Sequence, residues 1–275
     1  SKITLDRVII QNCSAGNLGG GGILLDEGSR ANFSFGCVLS DNKAPTEFGG
    51  HIRVSTAMLR LHGEGNGPLE FNRNGFNHIF PDSVRLGDDL VTMKRPTVMT
   101  RGSAISGGSI YCIASKTPNA GVTLGSGTEI AFSSASLQHR SGSGDGGAIA
   151  AVICDVSVVG ALLSMNKALR GNGGAVYLGA GAKLTSRAGS IFTGNQAHGS
   201  GGALFCDGCT TLELKNGTRL EHNIAGSGNG GALCIGNPLE YTTSQDSKFF
   251  NNSAGLDGGA VAYSNYLADM ELSAD

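Results

Sequence analysis

The sequence predicts an all-β fold: a single-stranded, right-handed parallel β-helix of about nine to ten coils, each roughly 28 residues long. Three observations carry this expectation. A glycine pair recurs at nearly constant spacing, and an apolar residue three positions before an asparagine recurs in step with it. After each glycine pair the side chains alternate with period 2, the signature of a strand with one face inward.

The glycine pairs come first. They appear as Gly20-Gly21-Gly22-Ile23, Gly49-Gly50-His51-Ile52, Gly107-Gly108-Ser109-Ile110 and Gly146-Gly147-Ala148-Ile149. They continue as Gly173-Gly174-Ala175-Val176, Gly201-Gly202-Ala203-Leu204, Gly230-Gly231-Ala232-Leu233 and Gly258-Gly259-Ala260-Val261. Successive first glycines are 29, 58, 39, 27, 28, 29 and 28 residues apart. The interval of 58 reads as two periods with a degenerate member at Asn77-His78-Ile79. Glycine supplies a positive φ without a Cβ clash, so each pair predicts a tight corner.

The strand after each corner has an aliphatic first residue and a mostly apolar third one, as in Val176 and Leu178 or Leu233 and Ile235. The residue between them is mixed: Leu24, Arg53, Tyr111, Ala150, Tyr177, Phe205, Cys234 and Ala262. Further β-like segments such as Lys183-Leu184-Thr185 and Leu212-Glu213-Leu214 lie between Gly, Asn and Ser turns. No segment holds a helical stripe, which disfavours a helical solenoid.

The apolar–asparagine pairs are Ile9/Asn12, Leu39/Asn42, Phe71/Asn74, Leu163/Asn166, Phe192/Asn195, Leu220/Asn223 and Phe249/Asn252. Stacked coils bring equivalent residues about 4.8 Å apart. The apolar members then form a core column. Asn12, Asn42, Asn74, Asn166, Asn195, Asn223 and Asn252 form a ladder of side-chain amides at a turn.

Composition narrows the function classes. The net charge of -2 argues against a nucleic-acid surface. No apolar run approaches the roughly 18–20 residues that span a bilayer, so this segment is not expected to insert directly into a membrane. Ser1 is not followed by the basic and apolar regions of a signal peptide. The chain reads as one continuous β-helix over 1–275, a window cut from a longer protein, with irregular or inserted coils at about 76–145. In that region the glycine interval of 39 leaves about 11 extra residues, for which Ser115–Gly127 and Gln138–Gly144 are the candidates.

Two coils carry the motif in full. Phe192-Thr193-Gly194-Asn195 with Gly201-Gly202-Ala203-Leu204, and Phe249-Phe250-Asn251-Asn252 with Gly258-Gly259-Ala260-Val261, resemble the repeats of the chlamydial polymorphic membrane proteins. The resemblance is clean from about Leu163 onward; upstream coils replace Phe with Leu or Ile, and no β-barrel translocator is present in the sequence. In that family the repeats build the β-helical passenger of an autotransporter, and the passenger acts as an adhesin. The resemblance therefore implies a non-enzymatic extracellular or cell-surface protein that presents a long binding surface to a protein or glycan on another surface. One alternative is a structural subunit of an extracellular fibre, coat or appendage that self-assembles. A second is a polysaccharide lyase or hydrolase, since parallel β-helices include pectin-degrading enzymes.

Candidate binding residues are the charged side chains of the irregular coils: Arg85, Asp88, Asp89, Lys94, Arg95, His139 and Arg140. An enzyme would have to use Asp88, Asp89 and Arg101, but adjacent residues of a strand point to opposite sides, so no carboxylate pair is expected to face a substrate. No cofactor or metal is expected. Cys206-x-x-Cys209 leaves three readings open, a local disulfide, half a zinc site or two buried thiols; the favoured one is buried thiols acting as small hydrophobes. Glycosylation sequons start at Asn12, Asn32, Asn216 and Asn251; Asn12 belongs to the inward ladder, leaving Asn32, Asn216 and Asn251 as candidates.

Overall fold

A computed structural model describes residues 107–113, 121–135, 144–236 and 241–264, and, before them, Val8, Cys13 and the strand segments from Lys2–Leu5 to Ser103–Ala104. Each turn is built the same way. Ile149–Val152 forms the first face, Asp155–Val159 the second, Leu162–Ser164 the third, and Lys167–Ala168 a short ladder that leads to the next glycine pair. One turn on, the equivalents are Val176–Leu178, Lys183–Arg187, Ile191–Thr193 and Gln196–Ala197. Every strand pairs in parallel with its equivalent, as Ile149↔Val176, Val156↔Leu184, Leu163↔Phe192 and Ala168↔Ala197 show. The result is three nine-stranded sheets and one six-stranded ladder, an all-β parallel solenoid. About four turns are described throughout, fewer than the nine to ten coils expected, and the strand ladders continue from them back to Lys2–Leu5.

The two glycines of a corner answer two different constraints. The first, exemplified by Gly201, has φ +66, a left-handed conformation costly for a residue with a Cβ. At the second, Gly202, a Cβ would collide with the carbonyl oxygen of Gly231 and the amide nitrogen of Ile224 on the next turn. The alanine that follows has a carbonyl that accepts twice: Ala175 N and Val176 N both donate to Ala203 O at 2.9 Å. This bond pattern pins the start of each first face to the turn after it.

The core is a set of inward columns. Val176, Leu204 and Leu233 line the first face, Val156, Leu184 and Leu212 the second, and Leu163, Phe192 and Leu220 the third, all buried. Burying a side chain of this size contributes about 1.5–3 kcal/mol relative to exposure. The short ladder places Ala168, Ala197 and Ala225 inward, stacked one above another and buried.

Four expectations change with the register. The turn without a glycine pair begins its first face at Val84, aligned with Ile52 and Ile110, and not at Ile79; residues 77–79 lie outside the described residues. Ile9 is exposed, and Ile10, aligned with Leu39, is the residue packed against the core; Asn12 lies outside the described residues. Gly121–Leu124 is a second-face strand followed by a turn, which removes 121–127 from the insertion. The strand positions instead put the extra residues between Ile113 and Gly121 and between Ala135 and Gly144, in 114–120 and 136–143, both outside the described residues.

The fourth correction concerns cysteine. Cys112 and Cys154 form a disulfide with a Cα–Cα distance of 6.1 Å, and Cys206 and Cys209 form another at 5.4 Å. Comparing positions within one strand column misses these pairs, because Cys154 and Cys209 sit at the corner that ends the first face. Cys112 on one turn reaches Cys154 on the next past Ala151, its register partner, which contributes only a methyl group. All four cysteines are buried.

Candidate functional site

The second position of each first-face strand forms a column of continuous backbone register, which from Tyr111 to Ala262 lies on the side away from the core. Arg53, Arg85, Tyr111, Ala150, Tyr177, Phe205, Cys234 and Ala262 succeed one another on consecutive turns. Tyr177 and Phe205 stack with ring centroids 5.9 Å apart and planes 15° from parallel. The Tyr177 hydroxyl donates to Asp207 Oδ2 at 3.1 Å, which fixes the ring against the exposed carboxylate. Partial burial, then the charges of Asp207 and Asp145, push the Tyr177 phenol well above its ordinary value.

Tyr111 and Tyr177 are half-buried, whereas Ala150, Phe205 and Cys234 are buried although they lie on the outer side of the strand. A second polar ladder runs past them, built from the residue before each glycine pair. Asp145 Oδ1 accepts from Asn172 N at 2.6 Å, Asn172 Oδ1 from Ser200 N at 2.8 Å, Ser200 Oγ from Asn229 N at 3.0 Å, and Asn229 Oδ1 from Asp257 N at 2.9 Å. Each side chain caps the backbone of the next turn. The Cys234 thiol is pushed up by burial, while its hydrogen bond with Ser200 acts in the opposite direction. The signal for this ladder stood in the sequence as a short polar residue at one fixed position; seen singly, Asp145 and Asp257 read only as scattered carboxylates.

At the opposite turn, Asn166, Asn195, Asn223 and Asn252 form an amide ladder with every polar atom engaged. Asn195 Nδ2 donates to Leu163 O on the preceding turn and to Asn223 Oδ1 on the next, both at 3.0 Å. Asn223 repeats the arrangement, and Asn252 Nδ2 donates to Leu220 O at 2.8 Å. On the earlier side Ser133 takes the place of asparagine: its N donates to Asn166 Oδ1 at 3.0 Å and its Oγ pairs with Ser109 Oγ at 2.6 Å. This ladder is interior and positions the fold; it is no ligand site.

Of the candidate binding residues, Arg85 lies on the described strand Val84–Leu86, in register with Tyr111. Asp88, Asp89, Lys94, Arg95, His139 and Arg140 lie outside the described residues, as do Asn12, Asn42 and Asn74. Asn32 lies on the strand Arg30–Phe33, and Asn216 and Asn251 are exposed in left-handed turns with φ 49. Among the described residues no group of three His, Cys, Asp or Glu side chains is placed to hold a metal ion, and no helix is long and apolar enough to cross a membrane.

Residues 189–207 match the Chlamydia polymorphic membrane protein repeat. The matched stretch runs from the turn before the third face, through Phe192 and ladder Asn195, round the Gly201-Gly202 corner to Asp207. The chain thus carries a repeat of polymorphic-membrane-protein type, and the matched stretch spans the part of a turn from the third face to the next first face. No curated protein and no solved structure shows a significant match to the chain.

Proposed function

We propose that this protein is a non-enzymatic, adhesin-like β-helix that works outside the cell or on its surface, presenting a long stiff face to a protein or glycan on another surface. The observation that carries the reading is the polymorphic-membrane-protein-type repeat at 189–207, which in the solenoid is a third face, the short ladder, the glycine corner and the first face that follows. Two interior disulfides support an oxidising compartment, because such bonds persist outside the reducing cytosol. Rigidity supports the display role: nearest-neighbour stacking with satisfied polar ladders holds outward side chains at fixed spacing.

The test coats beads with the folded protein and counts their attachment to cultured cells, with beads coated with an unrelated β-solenoid for comparison. Attachment well above that background, competed by soluble protein, is the expected result. Attachment equal to the background, across epithelial and phagocytic lines, would overturn the reading.

A further inference from the structure

We propose that the outer side of the short ladder carries a docking cleft for an acidic segment of a partner protein, with one aspartate or glutamate side chain seated between Lys167, Gln196 and His198. The proposal rests on the surface-binding reading and commits it to a protein partner. The cleft follows from the alternation of the ladder. Lys167–Ala168–Leu169 and Gln196–Ala197–His198 each run exposed, buried, exposed, because the alanine turns its methyl group into the core. Two outward columns result, Lys167–Gln196–Ile224 and Leu169–His198–Gly226, held in step by the ladder pairing and by His198 N and Gly226 N, which donate to Ala168 O and Ala197 O. An open cleft of about 410 Å³ lies between them, with Ala168 and Ala197 beneath. Gly226 also lines it and brings no side chain to fill it.

The backbone under the cleft is already engaged. Lys167 N donates to Ser133 O, Leu169 N to Ala135 O, Gln196 N to Asn166 O and His198 N to Ala168 O, at 2.8–2.9 Å. Recognition therefore falls to the side chains, and these are rich in donors: an ammonium with three, an amide with two and an imidazole with at least one. Among the described residues the carboxylate ion pairs are Lys215 with Glu213 and Arg219 with Glu221, so neither Lys167 nor His198 is neutralised by one. Arg170, next to Leu169, is exposed and adds positive charge beside the cleft. A carboxylate fits this set, because hydrogen bonds to an ionised acceptor are about twice as strong as neutral ones.

The surroundings of the donors select a peptide over an acidic sugar. Leu169 on the rim is 49% exposed, Met165 two residues before Lys167 is 48% exposed, and Ile224 one turn beyond Gln196 is 44% exposed. Single exposed apolar side chains are ordinary on a protein surface, but several gathered about one cleft mark an interaction site. A saccharide laid over these aliphatic groups would turn hydroxyls toward carbon and leave them without partners. A peptide covers them with apolar side chains of its own while its acidic residue enters the cleft. The partner segment thus carries Asp or Glu with Leu, Ile or Phe close by in sequence.

A random-peptide phage library selected on the immobilised full chain, and counter-selected on its Q196E variant, decides it. Q196E keeps the shape of the side chain and sets a carboxylate in the cleft. Enrichment of peptides that combine Asp or Glu with Leu, Ile or Phe is expected. The most enriched peptide, synthesised and titrated by calorimetry, should bind less tightly as salt is added. K167A, H198A and Q196E are each expected to lower its affinity about tenfold, while K183A on the second face leaves it unchanged. Circular dichroism and protease resistance verify that each variant is folded. No enriched peptide, enrichment without acidic residues, affinity that survives all three cleft substitutions, or tighter cleft-dependent binding of oligogalacturonate than of the peptide would overturn the proposal. The two readings are separable: if beads attach to cells and no such peptide is enriched, adhesion stands and the cleft fails. If the peptide binds through the cleft and the beads do not attach, the cleft stands and adhesion fails.

Discussion

Asn195 Oδ1 accepts two hydrogen bonds from one residue of the preceding turn: Asn166 N donates at 3.1 Å and Asn166 Nδ2 at 3.0 Å. A single oxygen thereby satisfies both a buried main-chain donor and a side-chain donor. The same atom pattern recurs between Asn195 and Asn223. A slip of one residue would break both bonds at once, so the ladder fixes register as well as stability.

Replacing Asn195 with Ala leaves Asn166 N and Nδ2 short of a buried acceptor and is expected to cost about 2–4 kcal/mol, read by urea unfolding. Asn195→Asp keeps the acceptor but turns a donor into a carboxylate oxygen facing Leu163 O and Asn223 Oδ1. Its folded-state carboxyl is then raised above the unfolded value, so this variant gains stability as pH falls through that raised value. Equal stability of the Asp variant at neutral and acid pH would contradict the geometry.

The glycines separate strain from collision. Gly189→Ala meets nothing within 4 Å, and its φ of +72 makes it lose about 1 kcal/mol. Gly202→Ala collides with backbone of the next turn and is expected to lose substantially more. Thermal unfolding of the pair should place Gly202→Ala well below Gly189→Ala.

The disulfides differ in the chain they enclose. Cys112 and Cys154 are separated by 42 residues in sequence, against 3 for Cys206 and Cys209. Loop-closure entropy assigns about 4 kcal/mol to the first and about 2 kcal/mol to the second. Unfolding of the two double-alanine variants should show the larger loss for Cys112/Cys154.

Stability should also decline at alkaline pH. The Cys234 thiol is raised from its ordinary 9.0 by burial, and the Tyr177 phenol is raised from its ordinary 10.0. A raised folded value means the native state holds the proton more tightly, so the contribution is whole below those ordinary values and is lost as pH climbs above them. Cys234→Ala with Tyr177→Phe should flatten the decline between neutral and strongly alkaline pH. A decline of unchanged steepness would assign it to other groups.

The solenoid was legible because its constraints repeat. A corner glycine such as Gly202 is demanded by an atom of the next turn, Gly231 O, so the same residue type returns once per turn. The inward column of Phe192 and Leu220 returns for the same reason. Features that occur once were not legible. The Cys112–Cys154 bond depends on where one corner lies relative to the next, and Ser133 stands in for asparagine without sharing its identity. The candidate site was legible only as charge: Arg85 could be singled out, but its alignment with Tyr111 required the register of a turn that lacks its glycine pair.

The extra residues at 114–120 and 136–143 leave the pairing of Ile110–Ile113 with Ile149–Val152, and of Gly121–Leu124 with Asp155–Val158, uninterrupted. The chain between two strands can thus lengthen while the strands on either side keep their partners. The fold has an editing format: one turn's perimeter can be rewritten without renegotiating its neighbours, and the cost of each revision stays local.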